Sequence, residues 1–101
     1  MIILSGEGKT GRDVKEIIFS QHVKDQMVDR GTSEDEIRIA IRDGENISVK
    51  RGREAYLKNF SFESYWKEKY YTTKQVVPIV MEETNEIVVV TVYVYYFGGR
   101  K

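Results

Sequence analysis

Between Phe19 and Gly44 the chain carries two helix starts and two helix stops in a fixed order, and nothing else in it constrains the fold as tightly. Ser20 is placed as an N-cap, its hydroxyl free to accept from the first-turn N–H groups. Gln21 to Arg30 follow as a helix, with Val23 and Met27 four apart on one face. Gly31 supplies a left-handed stop. Ser33 and Glu36 then form a capping box for a second helix. Its apolar stripe is Ile37, Ala40 and Ile41, and Gly44 ends it.

After Gly44 the pattern changes from helical to alternating. Ile47 to Lys50 starts a strand, and Val14 to Phe19, ahead of the helices, reads as another. Tyr65 to Thr73 alternates strictly: Tyr65, Lys67, Lys69 and Tyr71 share one face, and Trp66, Glu68 and Tyr70 the other. Val76 to Met81 and Ile87 to Phe97 read as a hairpin around Glu83, Thr84, Asn85 and Glu86. Pro78 cannot donate to a ladder, so its strand is expected at an edge or beside a bulge. The last strand is apolar on both sides. Val88, Val90, Val92 and Val94 line one, and Ile87, Val89, Tyr93, Tyr95 and Phe97 the other. A strand of that kind needs cover twice. Two sources are open: a second subunit, or the segment from Arg51 to Ser64 folded over it.

These patterns give one α+β domain: two short N-terminal helices packed on a twisted antiparallel sheet of about four strands. Residues 1–13 form a turn-rich segment and residues 14–101 the domain. The chain has 101 residues, of which 41 % are hydrophobic and 32 % charged, an ordinary soluble composition with enough apolar surface for one core. It contains no cysteine and one histidine. That excludes disulfides, thiolate metal sites and His-rich metal clusters. No apolar run has the length of a bilayer span, and no secretory signal is recognisable, so the expected location is the cytoplasm, away from membrane.

The net charge of zero hides a polarity. Residues 1–47 carry a net −3, residues 48–75 a net +4 and residues 76–101 a net −1. An anionic partner is expected to meet the middle of the chain. The cations there are Lys50, Arg51, Arg53, Lys58, Lys67, Lys69 and Lys74, interleaved with Tyr56, Tyr65, Trp66, Tyr70 and Tyr71. Cations grip phosphates and aromatic faces stack bases, a mixture suited to single-stranded RNA or DNA. The same residues also fit a solvated sheet face with half-buried tyrosines. His22, at the second residue of the first helix, carries the chain's one imidazole, a group suited to proton transfer, which makes it an acid or base candidate or a plain surface histidine. Gly6-Glu7-Gly8-Lys9-Thr10-Gly11 matches a dinucleotide-binding pattern, but two short capped helices follow it instead of one long helix and a parallel strand. Its Gly-Lys-Thr also lacks the P-loop's earlier glycine, since that position is Ile3. A turn-forming segment is the better reading.

The series His22, Gln26-Met27, Arg30-Gly31-Thr32-Ser33, Ile37, Ala40, Ile41 and Gly44 resembles the domain-of-unknown-function family numbered 4258. The likeness continues through Lys50, Gly52-Arg53, Lys58-Asn59-Phe60, Trp66, Tyr70 to Val76, Val90-Thr91-Val92 and Tyr96-Phe97, so it spans about residues 16–97. Gln26 is a departure, since members often carry arginine there. The family looks related to the BrnT and RelE-like toxin ribonucleases, which pack two helices on an antiparallel sheet and use no metal. That resemblance implies RNA cleavage by attack of the ribose 2′-hydroxyl, with His22 or Tyr71 for proton transfer and Arg53 and Lys74 for charge stabilisation. It implies RNA and an antitoxin as partners and no cofactor. If the reading holds, His22, Arg53 and Lys74 gather within roughly 10–12 Å. The alternative is a non-catalytic, homodimeric interaction module that buries its last strand against a second copy.

Overall fold

In the computed structural model, which describes residues 15–48 and 50–99, the capping signals act where the sequence puts them. Ser20 Oγ accepts from Val23 N–H at 3.2 Å and opens α1 (Gln21–Arg30). Gly31 closes it with φ +81°, in the left-handed region. Ser33 Oγ accepts from Glu36 N–H at 3.2 Å and opens α2 (Glu34–Asp43), whose first turn holds three carboxylates that suit the positive end of the helix dipole. The Gly6–Gly11 pattern and the 1–13 segment lie outside the described residues.

The strands are β1 (Glu16–Phe19), β2 (Glu45–Ser48), β3 (Arg53–Trp66), β4 (Lys69–Glu82) and β5 (Glu86–Gly99), in the spatial order β1-β5-β4-β3-β2. β1 runs parallel to β5 and the other pairs are antiparallel. The α+β class stands, but the sheet has five strands and is mixed, where about four antiparallel ones were expected. Two local misreadings account for this. Arg51 to Ser64, expected as a possible cover, supplies most of β3 and lies in the sheet itself. Tyr65 to Thr73 is not one strand: Lys67 and Glu68 both have positive φ (50° and 74°) and fold it into a two-residue hairpin turn. Such turns favour glycine and asparagine, so a Lys-Glu pair gives no signal.

Pro78 sits in β4, the middle strand, opposite Val92 of β5. The Val92 N–H points away from β4, to Gln26, so Pro78 occupies a site where β5 asks for no donor. The next step is a bulge: Ile79 pairs with Thr91 and Val80 with Val89, leaving Val90 as the extra residue. The bulge reverses the parity of β5. Ile87 and Val89 face the core before it, and Val92 and Val94 after it, so the strict alternation expected for this strand is broken.

Both helices pack on one face of the sheet. Val23, Ile37 and Ile41 meet Tyr56, Val76, Val80, Ile87, Val89 and Val92 in one buried cluster. No described helix is long and apolar enough to cross a membrane.

Candidate functional site

Three observations define the chemistry of this molecule: a polar cluster under the α1–α2 turn, a scattered set of cations, and an open sheet face. The cluster is built on Lys74, which β4 delivers to the helix side of the sheet at 8 % exposure. Its Nζ donates to the Gly31 carbonyl at 2.8 Å and pairs with Glu36 Oε1 at 2.9 Å. The ammonium also lies 5.4 Å from the centre of the Phe62 ring. Glu36 Oε1 takes a further bond from Thr32 Oγ1 at 2.8 Å. The Glu36 carboxylate thus turns to Thr32 and Lys74, and only the Ser33 half of the expected capping box forms. A buried charge is tolerated when paired and hydrogen-bonded in this way.

Tyr96 completes the cluster. Its hydroxyl donates to the Arg30 carbonyl at 2.8 Å, and its ring stacks on Trp66 at 5.1 Å and meets Phe62 and Tyr71 at 5.2 and 5.5 Å. Burial, and then the nearby Glu36 carboxylate, push its phenol up to about 12. Gly31 is held tightly here. A Cβ at that position would stand 2.7 Å from the Trp66 ring and strike the Tyr96 hydroxyl.

The four candidate catalytic residues do not all converge, and the three expected to share a phosphate, His22, Arg53 and Lys74, lie apart. Lys74 and Tyr71 are together, through Tyr96. Arg53 pairs with Met81 while Lys74 pairs with Phe60, seven residue steps further along β4, or roughly 23 Å. His22 is exposed in the first turn of α1, about 12 Å of helix rise from Arg30, and the Lys74 ammonium sits at the opposite end of that helix. The remaining cations are equally dispersed. Lys50 and Arg51 lie in the turn before β3, Lys58 lies over the Phe60 ring, Lys67 occupies the β3–β4 turn over Trp66, and Lys69 opens β4. From Arg53 to that turn is twelve strand steps, about 40 Å, so the charge excess of this segment is a line along a hairpin and not a patch.

Two residues matter in ways the sequence did not disclose. Gln26 Oε1 accepts from both Val92 N–H and Thr91 Oγ1 at 2.9 Å. An arginine there would have no acceptor to offer, so the glutamine is a working part of this chain. Arg30 Nη1 donates to the Val92 carbonyl at 2.6 Å, with its guanidinium 5.5 Å from the Tyr93 ring centre. Together the two side chains satisfy the outward N–H and C=O of Val92, as a neighbouring strand would. A glutamine and an arginine four apart show only a helix face, so no local signal reveals this use.

The second sheet face carries Thr73, Gln75, Val77, Ile79 and Met81 from β4 and Val88, Thr91, Tyr93, Tyr95 and Phe97 from β5, with no charge among them. Tyr93, Tyr95 and Phe97 are 43 %, 51 % and 43 % exposed. Among the described residues no helix or strand lies on this face.

Residues 19–94 match the model of a family described as a domain of unknown function, DUF4258. No curated protein and no solved structure matches the chain.

Proposed function

We propose that this chain, which belongs to the DUF4258 family, is a non-catalytic protein-interaction module that pairs with a second copy through its open sheet face. One observation carries the reading: the face opposite the helices is uncovered among the described residues, and its β4–β5 centre is uncharged, the charges of that face (Glu16, Glu86, Glu45 and Arg53) lying at its rim. Its three long strands, about 4.8 Å apart over eight steps of about 3.3 Å, give it a footprint of roughly 400 Å². That reaches the ~400 Å² at which an exposed patch on a soluble monomer calls for cover, and is about half of the ~800 Å² per partner of a stable interface. Because the β4–β5 centre of the face has no charge, two copies can meet there without like-charge repulsion, and a two-fold pairing of sheets about 10 Å apart buries both centres at once.

The ribonuclease reading has less support. His22 and Arg53 lie too far from Lys74 and Tyr71 to act with them on one phosphate, and the Lys74 ammonium is committed to Gly31, Glu36 and the Phe62 ring. Light scattering at micromolar concentration tests the choice. The expected mass is twice the 11.8 kDa of the chain, falling to 11.8 kDa in Ile79→Lys, which places a charge at the centre of the face. A wild-type monomer overturns the reading. Retention of single-stranded RNA on a filter at low salt, lost in Arg53→Ala, favours the nucleic-acid reading instead.

A further inference from the structure

We infer that the outer edge of β5 from Val94 to Gly98 is a docking site for an extended peptide strand of a partner protein, with a carboxylate on the strand's C-terminal side. This site is separate from the open face, because stacking two sheets leaves their edges free.

The edge is exposed by the mismatch in strand lengths. β5 has 14 residues, and β1 covers only Glu86 to Val89 of it. At Val92 the Gln26 and Arg30 side chains close the edge. Backbone groups two residues apart on a strand point the same way, and β5 stays in continuous register with β4 from Val92 to Phe97. The N–H and C=O of Val94 and Tyr96 therefore point outward like those of Val92, and no described strand or side chain meets them. Native edges are normally blunted by charge, proline or a bulge. This one has none from Val94 to Gly98.

The charge beside the edge identifies the occupant. Arg30 forms no ion pair with any described carboxylate, although its guanidinium has further donors beyond the one given to Val92. It stands where the C-terminal end of an antiparallel visitor would lie, since β5 runs away from it. A second copy of β5 fits poorly there: its C-terminal residues Tyr95 to Gly99 offer Arg30 no carboxylate. A visitor with an uncharged centre and a terminal Asp or Glu supplies both the backbone ladder and the missing anion.

The test uses the full chain and the synthetic peptide acetyl-Thr-Val-Thr-Val-Thr-Asp-amide, followed by the amide NMR shifts of Val94 and Tyr96. Binding should move those two amides. The N-methylated peptide, with the same side chains but without backbone donors, should bind at least about tenfold more weakly, as should the unmodified peptide to Val94→Pro. Replacing the peptide's Asp by Asn should weaken binding about fivefold to the wild type and not at all to Arg30→Gln. Equal binding of the Asp and Asn peptides to the wild type, undiminished binding of the N-methylated peptide, or no shift at millimolar peptide each overturns the proposal. Light scattering run on the same samples keeps this result separate from the dimer reading, because the mass depends on the open face and not on the edge.

Discussion

The covered and open faces of the sheet are made from the same kinds of residue. Val76, Val80 and Val89 point to the helices, while Val77, Ile79 and Val88 point to the other side. What differs is the neighbour. On one side α1 and α2 bring Val23, Ile37 and Ile41 to zero exposure. On the other, Tyr93, Tyr95 and Phe97 remain about half exposed. An apolar strand face therefore states a demand for cover without stating who provides it.

The largest effects should fall on the covered side. Ile41→Ala should cost about 3–4 kcal/mol in urea unfolding, because the side chain is fully enclosed and its loss leaves a cavity. Ile79→Ala should cost less than about 1.5 kcal/mol when measured at concentrations too low for association. Equal losses at the two sites would mean that both faces are equally buried, and the contrast would fail.

Next in size is the ion pair beneath the helix turn. Lys74→Ala should cost about 3 kcal/mol, since it leaves Glu36 and the Gly31 carbonyl without their donor. Combining Lys74→Met with Glu36→Gln should recover part of the loss, because neither charge is then left alone. Strict additivity in that cycle would show that the two groups act independently.

How much of this was legible follows from what each signal depends on. Ser20, Gly31 and Ser33 acted as read, because caps are decided by a few adjacent atoms. The Glu83–Glu86 turn also held, with β4 ending at Glu82 and β5 starting at Glu86. The Lys67-Glu68 turn did not, because its positive φ values are imposed by the long strands on either side and not chosen by the residues. The Val90 bulge was equally silent: an apolar run with valine at every step reads the same whether or not its parity reverses. The site residues fared worst. Lys74 and Arg53 are both basic residues in one segment, and only strand register shows that one is buried and the other lies about 23 Å away.

Tyr96 gives a smaller effect with a definite sign. Its phenol, ordinarily near 10, is pushed up to about 12 by burial and then by Glu36, so the fold favours the neutral form. Its contribution is fully present below pH 10 and is lost as pH rises towards 12, because the unfolded chain gives up that proton first. With solvent screening the loss should be on the order of 1 kcal/mol. Tyr96→Phe should cost about 1 kcal/mol at neutral pH, through the bond to Arg30, and should flatten the decline relative to the wild type. An unchanged slope between pH 10 and 12 would assign the decline to other groups.

The smallest expected change in stability is also the sharpest test of the two faces. Tyr95 is the most exposed of the three β5 aromatics, and its ring lies 6.5 Å from that of Tyr93. Tyr95→Ser removes a large apolar side chain from the open face and leaves every helix contact untouched. In the dissociated chain it should alter unfolding free energy by no more than about 0.5 kcal/mol, the range of surface substitutions. In the assembled form the same change removes contact area from both copies. The wild type should therefore gain apparent stability as its concentration rises, and Tyr95→Ser should gain less over the same range. Concentration-independent unfolding in both proteins would mean that no second copy covers the face. A loss of several kcal/mol at every concentration would mean that Tyr95 is buried within the single chain, and that the sheet has no open side.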